Sequence, residues 1–209
     1  MSDIQHIKQR LRALTAEAAA GFEVNHDSST TAQIISLAEQ LESLSPTARP
    51  VDDLRGLDGR WKMLYSSFGL ERNTTLRRIS FATLPRDAEI AVTGVFQMVD
   101  SASGCYDNHV EFVTKSAMSG VHVTRGVFKP EDGSDKRLAI TFIGNHARPL
   151  SSEKSVDDLR LALGIEPDAP LEAPVNFTGW SDVTYLDDEF RLMRGNAGNL
   201  YVLEKVAAA

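Results

Sequence analysis

The chain has 209 residues, of which 42% are hydrophobic, a formal net charge of −7 and a single cysteine. That is enough apolar content for one medium domain with a real core, and too much for a disordered chain. The acidic balance (pI near 5.2) lacks the surplus of cations that phosphate neutralisation requires and argues against a nucleic-acid partner.

Cys105 alone allows no internal disulfide and fits a reducing compartment. No run approaches the ~18 apolar residues that span a bilayer. Residues 1–20 hold Lys8, Arg10 and Arg12 but no apolar signal core, and Asp3 and Glu17 count against a transit peptide. The sequence therefore reads as cytoplasmic, with peripheral membrane contact open, or as plastid if a transit peptide has been removed.

In chain order, Ile4, Ile7, Leu11, Leu14 and Ala18 recur at spacings of three and four and predict a first helix. Lys8 and Arg12 border its apolar stripe, which suits either a lipid surface or packing on the rest of the fold. A break follows at 21–29. Thr30 with Gln33 reads as a capping box opening a second helix with the face Ile34, Leu37, Leu41 and Leu44, stopped by Pro46 and Pro50.

From Leu57 the period changes to two. Strands are expected at 60–68, 75–83, 90–99, 108–115, 120–129, 137–144, 181–187, 190–195 and 199–206. All eight prolines then fall outside strand interiors. Gly195-Asn196-Ala197-Gly198 and Glu131-Asp132-Gly133 read as hairpin turns. Between 145 and 180 lies a longer excursion, with a short helix capped by Ser155 and Asp158 and ending at Gly164, then a loop through Pro167, Pro170 and Pro174. Its length suggests a lid over a barrel mouth. Hairpin succession without intervening helices predicts a mainly β chain: a helical lead-in over 1–50 and an antiparallel barrel of about eight to nine strands over 51–206.

Leu57-x-Gly59-x-Trp61-x-x-x-Tyr65-Ser66-Ser67 at the first strand resembles the opening of the lipocalin superfamily. Gln97, Asp100 and Asn108-x-Val110-x-Phe112 resemble the middle of the plastid-lipid-associated (PAP/fibrillin) family. The run from Asp182 through Asp187, Arg191, Arg194 and Gly195 to Tyr201 and Leu203 resembles that family's ending. The resemblance spans 30–206 and is weakest at 115–175. It implies a lipocalin-like barrel associated with prenyl lipids, carotenoids or quinones, or with lipid particles and membranes, and it implies no catalytic residues. It also suggests that Trp61 plugs one barrel end with an arginine from the last hairpin over its ring.

Candidate ligand contacts are Trp61, Tyr65, Phe96, Met98, Phe112, Arg125, Phe142 and Tyr201. Val92, Gly94, Phe96 and Met98 are expected on one strand face, with Val110 and Phe112, and Leu138, Ile140 and Phe142, on the facing strands. Gly94 and Gly126 would leave space for a ligand. Arg125, if inward, would meet an anionic head group; outward, it is a solvated arginine. The same apolar side chains suit either a cavity or a filled barrel, so a carrier and a scaffold docking to a membrane or an enzyme stay open. Gly59, Asp187, Arg191, Arg194 and Gly195 read as structural: alternation puts the two arginines on opposite faces, one over Trp61 and the other paired with Asp187 or Asp188.

Enzymatic signals are absent, and the sequence reads as a non-enzyme. His109, His122 and His146 with Glu111 lack metal-ligand spacing, Cys105 lacks an activating environment, and Ser66 and Ser67 lack a nucleophile elbow. A lipocalin-like isomerase or hydrolase would need Glu111 or Asp187 beside an arginine inside the cavity. No cofactor is expected beyond a bound lipid, carotenoid or quinone.

Overall fold

The computed structural model describes residues 3–17, 28–84 and 87–207. Alternating residues build nine strands: β1 (Gly59–Ser66), β2 (Asn73–Thr75), β3 (Glu89–Asp100), β4 (Cys105–Thr114), β5 (Ser119–Pro130), β6 (Arg137–Pro149), β7 (Glu172–Leu186), β8 (Phe190–Gly195) and β9 (Leu200–Val206). The order is β1-β9-β8-β7-β6-β5-β4-β3-β2, and antiparallel pairing of β1 with β3 closes the ring. The result is a closed eight-stranded barrel with β2 as an extra strand on β3. Closure leaves the ring without an open edge.

Two helices, α1 (Asp3–Glu17) and α2 (Ser28–Ser43), pack outside the barrel. Ile7, Leu11 and Leu14 of α1 and Ile34, Ala38 and Leu41 of α2 bury against Tyr65, Tyr185, Phe190 and Val202. Lys8 Nζ lies 2.6 Å from Asp187 and 3.0 Å from Glu189, and Arg12 Nε lies 2.6 Å from Glu204. The α1 stripe thus faces the barrel, and its flanking cations are held by strand-end carboxylates.

Several expectations are corrected. The segment 75–83 is not a strand: Thr75 ends β2, and its hydroxyl caps the short helix α3 (Leu76–Ile79) by accepting from Arg78 N–H. Thr75, Ile79, Phe81 and Thr83 are strand-favouring residue types that imitate a strand there. Helix α2 begins at Ser28, so Thr30 lies within it rather than capping it. Of the break expected at 21–29, Ser28 and Ser29 are helical and the rest falls outside the described residues. Strand β7 starts at Glu172, so Pro174 sits inside a strand, opposite Gly144 where the register shifts past Phe142. A missing N–H is tolerated at such an irregularity.

The late helix α4 (Val156–Leu163) has the Ser155–Asp158 capping box, and Gly164 ends it at φ 66°. Leu159 and Leu163 bury with Leu76, Ile79, Phe112 and Ala147, so α3 and α4 together plug one end of the barrel. At the opposite end, Trp61 packs with Leu57, Val99, Met193 and Leu203. Gly59 opens β1 at φ 117°, a conformation that favours glycine, and a Cβ there would meet the Lys205 side chain at 3.1 Å.

Candidate functional site

Between the two plugs lies a cavity of about 370 Å³. Tyr106 and Ile140 belong to the Trp61 cluster and Ile79 to the α3–α4 cluster, and all three line it. Its walls are Met63 of β1, Val95 and Gln97 of β3, Asn108 and Val110 of β4, Thr124 of β5 and Phe142 of β6. The mouth is framed by Phe68 and Leu70 after β1, Phe81 after α3, Phe177 to Trp180 of β7, and Asn196 and Asn199 in the β8–β9 turn.

The mouth is aromatic. Phe81 meets Phe177 edge-on at 5.4 Å between centroids, and Phe177 meets Phe142 at 4.8 Å. Phe68 and Phe81 are 55% and 53% exposed and Phe177 36%, unusual for rings that are not in an interface. Phe81 and Ala82 both hold positive φ, 53° and 63°, a sparsely populated region for residues with a Cβ. The turn is held from inside: buried Asn145 donates through Nδ2 to Ser80 O at 2.9 Å and Thr83 Oγ1 at 2.8 Å.

The candidate ligand residues separate into several environments. Phe142 and Tyr201 line the cavity. Trp61 does not: it is fully buried in the end plug, donates from Nε1 to Leu57 O at 2.7 Å, and lies under Arg191, whose guanidinium carbon is 4.6 Å from the ring centroid. Phe112 is buried in the α3–α4 plug, its ring occupying the space beside Gly120.

Tyr65, Phe96, Met98 and Arg125 are placed outside the cavity. A register shift between Met63 and Tyr65 turns Tyr65 out beneath α1 and α2. A second shift between Val92 and Gly94 reverses the faces of β3, so Val95 and Gln97 point inward and Phe96 and Met98 outward. Phe96 lies under Arg60, 3.7 Å from guanidinium to centroid, and Arg60 pairs with Glu111 at 2.7 Å. Arg125 is exposed on the outer face of β5, since His122, Thr124 and Phe128 take the inner one.

The two glycines expected to leave space do not. A Cβ at Gly94 would strike Phe96 Cε2 at 2.6 Å, and one at Gly126 would strike Tyr106 O at 2.6 Å. Of the 145–180 excursion only Phe177 to Trp180, which belong to strand β7, line the cavity, while α4 lies in the end plug and not over the mouth.

Among the structural residues, Arg191 and Arg194 take opposite faces of β8. Arg194 does not pair with Asp187 or Asp188; it binds Glu42 of α2. Asp187 instead holds Lys8, receives the Tyr185 hydroxyl, and accepts from the N–H groups of Glu189 and Phe190. Gly195 begins the β8–β9 turn, where Ala197 and Gly198 take the positive φ values. Glu111 and Asp187, the carboxylates on which an enzymatic reading turned, thus engage their cations outside the cavity.

Burial sets the electrostatics of the interior. It holds the pKa of His122 down to about 3 and that of Arg191 down to about 10, and raises Tyr106 and Tyr201. Cys105 is pushed up to about 11, by burial first and the Asp107 charge second, the reverse of an activated thiol. No cluster of three or more metal-ligating side chains occurs among the described residues.

A closed antiparallel barrel plugged at one end by a Gly-x-Trp strand, with an arginine over the indole, is a lipocalin-like architecture. The PAP_fibrillin family model matches residues 5–204, and the chain belongs to this family. It is 30% identical to "Light-induced protein, chloroplastic" of Solanum tuberosum, over 98% of this chain and 68% of that protein. It is 29% identical to "Probable plastid-lipid-associated protein 1, chloroplastic" of Arabidopsis thaliana, over 94% and 69% of the two chains. To "Chromoplast-specific carotenoid-associated protein, chromoplastic" of Cucumis sativus it is 26% identical, over 98% and 69%. No solved structure gives a significant match. The expectation of a cytoplasmic protein is corrected by these relatives, which are chloroplastic or chromoplastic.

Sequence reasoning missed Met63, Val95, Gln97, Asn108 and the mouth aromatics. The outward flips of Tyr65 and Phe96 follow from two bulges, and an extra residue in one strand leaves no mark in simple alternation. Phe177 and Trp180 were hidden by reading 174–180 as loop.

Proposed function

We propose that this chain holds one hydrophobic small molecule, a prenyl lipid, carotenoid, quinone or fatty acid, in the barrel cavity, without catalysing a reaction on it. The observation that carries this reading is the cavity itself. At about 370 Å³ it lies at the low end of the ~300–1,000 Å³ typical of ligand sites. One chain or ring would be buried there, with the rest of a long ligand in the mouth. A scaffold with a filled barrel would have no need of such a space. The relatives named for plastid lipid or carotenoid association support this class of ligand and a plastid setting.

Exposed Phe68, Phe81 and Phe177 around the mouth favour a peripheral mode in which the mouth rests on a lipid particle or membrane and the ligand passes without crossing water. No described helix is long and apolar enough to cross a membrane.

The test is mass spectrometry of an organic extract of the purified protein beside an equal amount of an unrelated barrel from the same cells. A stoichiometric isoprenoid, quinone or fatty acid is expected. A clean extract that stays clean after carotenoids, quinones and fatty acids are offered would reject carriage in favour of a scaffold.

A further inference from the structure

Among the described residues, Lys8, Arg60 and Arg194 are held by carboxylates and Arg191 is not. Lys8 has Asp187 at 2.6 Å, Arg60 has Glu111 at 2.7 Å and Arg194 has Glu42 at 2.9 Å. Arg191 is more deeply buried than the two arginines, with no exposed surface, and no carboxylate pairs with it among the described residues. Its Nη2 donates to the Gln97 carbonyl Oε1, and its Nε and Nη1 have no protein partner. The Trp61 face at 4.6 Å attracts the charge but accepts no N–H in the manner of an oxygen. A buried guanidinium in this state calls for an anion nearby.

The cavity supplies the approach. Gln97, with its carbonyl turned to Arg191, lines the cavity, as do Tyr106, Asn108, Thr124 and Ser181. The Tyr106 hydroxyl, which donates to the weak acceptor Met193 Sδ at 3.8 Å, is within reach of the Gln97 and Ser181 side chains. Polar groups line the inner end, on the Arg191 side, while the mouth carries the rings of Phe68, Phe81 and Phe177 among Arg78, Thr178, Asn196 and Asn199. An amphiphile entering head first would match both ends.

We propose that the cavity selects amphiphiles bearing a carboxylate head, with Gln97 and Tyr106 donating to the head and Arg191 behind them balancing its charge. This rests on the carrier reading and names its ligand class. Gln97 and Tyr106 are binding residues; Arg191 acts through Gln97 as a positioning and charge-balancing residue.

The test titrates the whole chain with cis-parinaric acid and with its methyl ester, following the polyene fluorescence that rises on burial. The two share a tail and differ in charge at the head. The acid is expected to bind at least tenfold more tightly, about 1.4 kcal/mol. Arg191→Met keeps an apolar body over Trp61, and is expected to retain the wild-type melting temperature while the acid-to-ester ratio falls towards one. Gln97→Leu provides an independent route to the same loss, should Arg191→Met not fold. Equal affinities in the wild type, or a ratio unchanged in a folded variant, would overturn the proposal and leave carriage intact. Binding of neither probe would overturn carriage as well.

Discussion

Arg194 on β8 and Glu42 on α2, 152 residues apart, meet in a two-point ion pair, Nε to Oε1 at 2.9 Å and Nη2 to Oε2 at 3.0 Å. Thr184 Oγ1 donates to the same Oε1 at 2.7 Å. A planar guanidinium on a carboxylate fixes orientation as well as distance, so the contact sets how the second helix lies on the barrel wall. Glu42→Ala leaves Arg194 partly buried without its partner. A loss of about 1–2 kcal/mol is expected, between the values for exposed and buried pairs. The urea midpoint should fall, with hydrogen exchange rising first in α2. Uniform exchange changes across the barrel would show that the pair does not act on the helix.

Acid should weaken the fold through His122. Burial holds its pKa near 3 against an ordinary 6.5, with His146 and His109 acting in the same direction, and both ring nitrogens lack a protein partner. The folded value lies below the unfolded one, so the unfolded chain takes up the proton first. Stability is then complete above about pH 6.5 and declines as pH falls towards 3. At pH 5 this residue alone accounts for about 2 kcal/mol. His122→Leu should hold or raise the melting temperature at pH 7 and flatten its fall between pH 7 and 5. An equally steep fall in the variant assigns the acid sensitivity to other groups.

Gly126 and Gly94 should respond differently to alanine, although a Cβ at either meets an atom at 2.6 Å. At Gly94 that atom belongs to the Phe96 ring, which can turn. At Gly126 it is the Tyr106 carbonyl oxygen, fixed in the β4 backbone. Gly126→Ala is expected to cost about 2–3 kcal/mol and Gly94→Ala less than half of that. Chemical denaturation of the two variants side by side gives the ranking, and the reverse order contradicts it.

The mouth aromatics should matter for lipid surfaces and little for stability. Replacing Phe68 and Phe81 by serine removes rings that are 55% and 53% exposed. Each half-buried ring is worth about 1 kcal/mol on entering an apolar phase. Co-sedimentation with phosphatidylcholine vesicles should drop about tenfold or more, with an unchanged urea midpoint. Undiminished sedimentation places the lipid contact elsewhere on the surface.

Much of the fold was legible because local signals agreed with the final structure. The period-two runs located eight of the nine strands, the Ser155–Asp158 box located α4, and the lipocalin-like Gly59-x-Trp61 opening located the end plugged by Trp61. The misreadings cluster where one local signal stood for two conformations. Thr74, Thr75 and Ile79 have strand-like side chains, yet Thr75 serves as a helix cap. Pro174 was taken to forbid a strand, and the bulge opposite it permits one. The candidate site was legible only in part. Phe142 and Tyr201 were placed in the cavity, but Phe96, Met98, Tyr65 and Arg125 turn away from it.

The sequence by itself determined what depends on neighbours along the chain: strand and helix spacing, turn positions, the acidic and single-cysteine character, and the family. Tertiary structure alone decided which faces became interior, that the barrel kept an open space between its plugs, and that Arg191 was buried with an amide in place of a carboxylate. The physical reason is that a face is set by register. One inserted residue in β1 and another in β3 invert every side chain beyond them, and closure of the ring by β1 and β3 sets what those side chains meet.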